Sequence, residues 1–157
     1  MCLLAQVGIF DTTTPALPVL RQILVVPQVA LSFDQSPSGN FLVLGCTMGI
    51  TVIDVRNLRV ACIIQEFDTA SRDRTSVTPG FLARNNNRHL SLFTISLGKK
   101  NRVTEYDVKE TKCGLTLKSR RVGIMLPGYV PWTFQFFNDN LLMTTNSGHT
   151  FVEVFAI

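Results

Sequence analysis

Few residues in this chain have the chemistry to act as nucleophile, base or metal ligand, and they are scattered. The four cysteines are Cys2, Cys46, Cys62 and Cys113, and the two histidines are His89 and His149. No two cysteines have the close spacing of a zinc ligand pair, and neither histidine has a carboxylate or cysteine pattern beside it. Cys46 and Cys62 lie inside apolar runs, so they read as small buried hydrophobes of a reducing compartment. The histidines read as strand-edge residues. Asp54 and Asp107 each close a short apolar run, where a carboxylate normally caps a turn or staples neighbouring strands. There is no Gly-x-Ser-x-Gly elbow, no phosphate-cradling glycine loop leading to Lys-Ser/Thr and no His-Glu-x-x-His helix. The expectation is a protein that is not an enzyme, with no metal and no cofactor.

Groups that could meet a partner are more evident. Fifteen Lys and Arg against eleven Asp and Glu leave a formal charge of +4, a mild bias toward anionic partners. The basic residues gather in polar stretches: Arg72 and Arg74; Arg84 and Arg88 around an Asn-rich turn; Lys99, Lys100 and Arg102 in another turn. These are the tentative partner-binding loops, although solvated loops that keep a protein soluble look the same. Trp132, Phe134, Phe136 and Phe137 lie near Lys118, Arg120 and Arg121, as on an aromatic–basic nucleic-acid surface. The alternation Thr133-Phe134-Gln135-Phe136 fits better a strand that buries its Phe face, so no nucleic-acid partner is expected.

The elements that must carry these residues are short strands. With 46% hydrophobic and 17% charged residues, the chain has the composition of a folded domain. No apolar run approaches the roughly 18–20 residues of a spanning helix; the best, residues 19–33, is broken by Arg21, Gln22, Pro27 and Gln28. The first residues lack the basic flank and cleavage site of a signal peptide, and the reading is a soluble, intracellular protein. No apolar stripe of helical period persists, whereas β-branched and aromatic runs recur between turn signals. They span residues 29–33, 41–46, 50–55, 61–67, 78–83, 90–96, 102–108, 113–118, 133–137, 141–145 and 150–155. Ser36-Pro37-Ser38-Gly39-Asn40, Met48-Gly49, Arg56-Asn57, Asn85-Asn86-Asn87 and Asn146-Ser147-Gly148 separate them, with Gly and Asn supplying positive φ and Pro presetting a turn.

The runs group in fours. The closing Asp of the third run recurs as Asp54 and Asp107, 53 residues apart, somewhat above the roughly 40–45 residues of a four-stranded propeller blade. The surplus matches the polar stretch 68–76. A tandem four-stranded unit points to a β-propeller, since a sandwich has less regular bookends.

Two stretches carry a family likeness. Leu31-Ser32-Phe33-Asp34-Gln35, followed by residues 40–54 with Gly45-Cys46-Thr47-Met48-Gly49, resembles a degenerate WD40 repeat. More narrowly, it is similar to the opening blade of the PROPPINs, the phosphoinositide-binding propellers of autophagy. Residues 92–103, with Tyr106-Asp107 and Lys112-Cys113, resemble the second blade of that family, and residues 137–155 the short blade after it. The likeness covers residues 29–157. The family's lipid-binding Phe-Arg-Arg-Gly sequence is absent: Ser119-Arg120-Arg121-Val122-Gly123 is only superficially similar, and residues 121–132 look like an insertion. No lipid-binding residue is carried over. The propeller of the lipid-kinase regulatory subunit Vps fifteen offers a second likeness through Asp54-Val55-Arg56.

What the resemblance implies is an all-β, WD40-like propeller fragment: two and a half to three four-stranded blades of a seven-bladed ring. The blades fall at about 29–76, 77–120 and, incomplete, 121–157. Residues 1–28 form an N-terminal segment with one or two outlying strands, and residues 22–26 are the candidate ring-closing strand. The implied function is a non-enzymatic scaffold in autophagy or membrane trafficking, cytoplasmic and peripheral on endosomal, vacuolar or autophagosomal membranes. Its partners would be proteins of that machinery, with phosphoinositide contacts only through blades outside this sequence. The alternative is a generic WD40 interaction module of another complex. Uncovered blade faces and edges imply aggregation, oligomerisation or dependence on a partner.

Overall fold

The computed structural model describes residues 5–13, 17–47, 49–65, 76–84, 89–97, 102–112, 114–125, 131–138, 141–146 and 152–156. Every regular element among them is a strand. In chain order these are β1 (Ala5–Asp11), β2 (Val19–Val26), β3 (Ala30–Gln35), β4 (Phe41–Cys46), β5 (Gly49–Asp54), β6 (Arg59–Gln65) and β7 (Ser76–Arg84). They continue with β8 (His89–Leu97), β9 (Arg102–Thr111), β10 (Gly114–Met125), β11 (Pro131–Asn138), β12 (Leu141–Asn146) and β13 (Val152–Ala156). They form four antiparallel meanders: the hairpin β1–β2, two four-stranded sheets in the orders β3-β4-β5-β6 and β7-β8-β9-β10, and the three-stranded β11-β12-β13. Among the described residues no helix is long and apolar enough to cross a membrane.

Local chemistry explains why the chain turns where it does. After β3, the Ser36 hydroxyl accepts from the Phe41 N–H at 3.2 Å, while the Ser36 N–H donates to the Phe41 carbonyl at 2.9 Å. Gly39 supplies the positive φ, 74°, that closes this turn. After β5, Asp54 Oδ1 accepts from the Arg56 N–H at 3.1 Å, an Asx turn. Leu58 then takes a left-handed φ of 48° before β6 begins.

The sheet β3–β6 has a core on each face. Phe41, Val43, Ile50 and Val52 point one way and pack with Val77, Leu92 and Tyr106 of the next sheet. Leu42, Leu44, Cys46 and Ile53 point the other way, onto Val7, Ile9, Leu24 and Val26 of the β1–β2 hairpin. A register shift between Val52 and Ile53 leaves Ala61 as the extra residue, pairing Val52 with Cys62 but Ile53 with Val60. That bulge turns Val60 to the hairpin side while Cys62 and Ile64 stay on the other. With both faces of β4 and β5 buried, these two strands read as near-continuous apolar runs.

Three details differ from the sequence expectation. β10 runs to Met125, so residues 121–125 belong to the second four-stranded sheet, not to an insertion. Its ladder absorbs two extra residues, at Arg120 and Gly123, and these irregularities hid the strand's length. Asp107 does not close its strand, because β9 continues to Thr111; it is 57% exposed and pairs with Arg120 at 3.6 Å. Finally, β3 inverts its hydropathy: Leu31 and Phe33 are 56% and 73% exposed, while Ser32 and Asp34 are half-buried.

Candidate functional site

The inversion of β3 has a cause across the seam between the two four-stranded sheets. β3 and β7 are edge strands of their own sheets, and an unpaired edge leaves backbone groups unsatisfied. Ser32 Oγ donates to the Val77 carbonyl at 3.2 Å, and Asp34 Oδ2 accepts from the Phe81 N–H at 2.6 Å. Two short polar side chains thus satisfy part of the β7 edge, which an apolar residue could not do. Because Ser32 meets Val77 and Asp34 meets Phe81, the two strands run in the same direction.

The approach is close. A Cβ on Gly45 would lie 2.6 Å from Pro79 Cδ, and nearer still to the Val77 carbonyl oxygen and Ser32 Oγ. Gly45 is therefore glycine for want of space, since its φ is unexceptional.

Farther along the seam, Asp54 gathers a second set of staples. Its side chain has no exposure, and its two oxygens accept from Arg56 Nε and Nη2, each at 3.1 Å, and from Asn57 Nδ2 at 2.8 Å. Arg56, chiefly, holds the Asp54 carboxyl down from an ordinary 3.8 to about 2, with Asn57 assisting against the cost of burial. The same guanidinium lies 4.8 Å from the Phe41 ring centroid and donates to the Thr111 carbonyl at 3.3 Å. Asp54-Val55-Arg56 therefore acts here as a structural clasp across two sheets.

Between these staples lies a cleft of about 370 Å³, lined by Pro37 and Ser38 of the β3–β4 turn and by Ala83, Leu90, Val108, Lys109 and Glu110 of the second sheet. Ser38 Oγ donates to Glu110 Oε2 at 2.6 Å. Ser38 and Glu110 stand 72 residues apart, and the sequence offered no signal that pairs them.

A third polar centre is Glu105, buried at 5% exposure. Its Oε1 accepts from Ser91 Oγ at 3.1 Å and faces Arg120 at 3.7 Å. Arg120 is the extra residue of a β10 bulge, and its guanidinium also meets Asp107. At the hairpin, Arg21 pairs with Asp11 through Nε at 3.0 Å and through a second, shorter contact from Nη2. This pairing holds the Asp11 carboxyl far below the usual range.

The residues singled out from the sequence do not gather into one site. Arg84 closes β7 opposite His89, and Arg102 opens β9 opposite Ser96, at opposite ends of the β7–β8–β9 ladder. Their side chains, and Arg72, Arg74, Arg88, Lys99 and Lys100 entirely, lie outside the described residues. So do Cys2, Cys113 and His149, and the side chains of Trp132 and the phenylalanines after it; residues 131–138 form the strand β11. His89 opens β8 and is exposed. Cys46 is buried and Cys62 half-buried, both as free thiols, and burial pushes both thiols up. Among the described residues no three His, Cys, Asp or Glu side chains converge as a metal site.

No family model matches the chain, and no curated protein matches it.

Proposed function

We propose that the two four-stranded sheets are successive blades of a WD40-like propeller, and that the protein is a non-enzymatic scaffold of autophagy or membrane trafficking. The observation that carries the fold reading is the seam: consecutive meanders lie with their first strands parallel and adjacent, joined by Ser32–Val77 and Asp34–Phe81. Blades around a common axis require that arrangement of their innermost strands. β11, the first strand of the third sheet, also lies against β7, which extends the pattern. The β1–β2 hairpin covers β4, β5 and β6 but leaves Leu31 and Phe33 of β3 exposed. Two further strands beside the hairpin would complete a blade and cover them.

The trafficking role rests on the likeness of Leu31–Gln35 and of residues 40–54 and 92–113 to the PROPPINs. The motif residues Ser32 and Asp34 have a role in this reading: they bind one blade to the next. Phosphoinositide contacts would belong to other blades, and the protein would act at endosomal, vacuolar or autophagosomal membranes through protein partners. Two arms test this. Vesicle flotation of this polypeptide should give no phosphoinositide-dependent recovery, and affinity purification should return trafficking components. A stable complex without any such component would favour the alternative, an interaction module of another assembly such as a lipid-kinase regulatory subunit.

A further inference from the structure

We infer that the free edge of β1 takes an added β-strand from a protein partner, an extended segment whose residues facing the β3–β6 sheet are apolar and rest on Phe33. The inference rests on the scaffold reading, and it gives the form of one partner contact.

The hairpin covers only part of the sheet beneath it. Its two strands lie over a sheet of four, in the order β3-β4-β5-β6. β2 is at the β6 end: it contacts β6, and Gln22 Nε2 donates to the Leu58 carbonyl at 3.1 Å, just before that strand. The width left open is therefore at the β3 end, beyond β1. Phe33 stands opposite Leu44 in the ladder, so both point to the hairpin side. Leu44 is buried there at 4% exposure, whereas Phe33 is 73% exposed.

β1 also lacks what ordinarily protects an edge. It pairs with β2 on one side only, which leaves alternate N–H and carbonyl groups along its other side open among the described residues. Edges are blunted by charged residues, prolines and bulges. The outer strands β2, β6 and β10 each carry extra, bulged residues: Arg21 in β2, Ala61 in β6, and Arg120 and Gly123 in β10. β1 instead runs Ala5-Gln6-Val7-Gly8-Ile9-Phe10 before its first charge at Asp11, with no proline and no extra residue of its own.

An exposed apolar floor beside an open backbone edge fits one kind of occupant. A strand meets both demands, because its backbone pairs with the edge while alternate side chains face the floor. A flat apolar surface would leave the edge groups of β1 unsatisfied. No other segment of this sequence is suited to supply the strand. Each strand of the chain already has its place in one of the four sheets. Residues 66–75, the longest stretch between strands, hold one large apolar side chain, Phe67. The partner's strand is the first of the two that would complete the blade.

The test is a titration of the full chain with an acetylated, amidated peptide of alternating threonine and valine flanked by lysines. Amide shifts of Val7, Gly8 and Ile9 are followed by NMR. In a strand, the residues whose N–H groups point to one edge also share one face. Two N-methylated peptides, one blocked at every valine and the other at every threonine, therefore differ. The expected result is movement of the β1 amides, with one N-methylated form binding as the parent does and the other not binding. Phe33→Lys should weaken binding by about tenfold, the loss of part of a buried Phe, without lowering the melting temperature. Ile23→Lys, on the hairpin's outer face, should leave binding unchanged. Absence of the β1 shifts, equal behaviour of the two N-methylated forms, or wild-type affinity of Phe33→Lys overturns the inference. The scaffold reading fails by a different result, a purified complex without trafficking components.

Discussion

Gly45→Ala tests the seam with a single methyl group. The added Cβ would lie 2.6 Å from Pro79 Cδ and closer to the Val77 carbonyl oxygen and Ser32 Oγ. Overpacking a core ordinarily costs about 1–3 kcal/mol. Here one obstacle is a backbone carbonyl in an adjacent strand, which cannot rotate away as a side chain does, so the upper end applies. The Ser32–Val77 hydrogen bond must also lengthen, which adds about 1 kcal/mol. A total of about 3–4 kcal/mol, at ~2–4 °C per kcal/mol for a chain of this size, lowers the melting temperature by about 10 °C. Gly8→Ala is the control, because its Cβ would meet side chains alone, the ring of Phe10 at 3.0 Å and Leu20 Cδ1 at 3.5 Å, and both residues are exposed. Thermal unfolding followed by circular dichroism, with urea midpoints alongside, reads the difference. A Gly45→Ala melting temperature within about 2 °C of wild type would refute the close approach of β4 to β7, and with it the seam.

Arg56→Ala should destabilise the protein by about 1–3 kcal/mol, since it strands a buried carboxylate and removes the reach to Thr111; a urea midpoint equal to wild type would contradict the clasp. Folding holds the Asp54 carboxyl at about 2, so its stabilising contribution is complete above the ordinary carboxylate range and is lost as pH falls toward 2. Asp54→Asn should accordingly flatten the acid limb of the stability curve, and an unchanged limb would count against the assignment. The Cys46 thiol, raised by burial, should resist alkylation in the native protein and react on unfolding; native labelling at a free-thiol rate would mean that the β1–β2 hairpin does not cover it. The hairpin's outer face carries Phe10, Leu20, Ile23 and Val25, all 46–55% exposed. Ile23→Lys with Val25→Lys should therefore shift any self-associated species toward monomer in light scattering, whereas an unchanged distribution would exclude that face from association.

The strands were legible because their signals are local. Each apolar run from residue 29 onward overlaps a strand between β3 and β13, and Gly, Asn and Ser-Pro punctuation marked the turns. The lengths of β9 and β10 were not, because the charged outer strand reads as polar sequence and its extra residues, Arg120 and Gly123, break the alternation. The inverted pattern of β3 also escaped hydropathy. Its two polar residues face a neighbouring backbone edge, and that edge comes from residues about 45 positions away. For the same reason the Asp54 clasp was half visible: the capping role follows from the local Asp-x-Arg spacing, but the reach to Thr111 depends on the stacking of sheets. The equivalence of Asp107 to Asp54 failed because a shared residue type at a similar offset does not fix a shared register. The Ser38–Glu110 contact had no sequence signal at all, since it joins residues 72 positions apart that meet only across the seam.

An experimental structure of the protein in its assembled form tests the central reading most directly. The expected result is β3 and β7 parallel and side by side, Ser32 Oγ within hydrogen-bonding distance of the Val77 carbonyl, and first strands of successive sheets arranged about a common axis. Two sheets closed on each other as a two-layer sandwich, with β3 and β7 antiparallel or at distant edges, would contradict it.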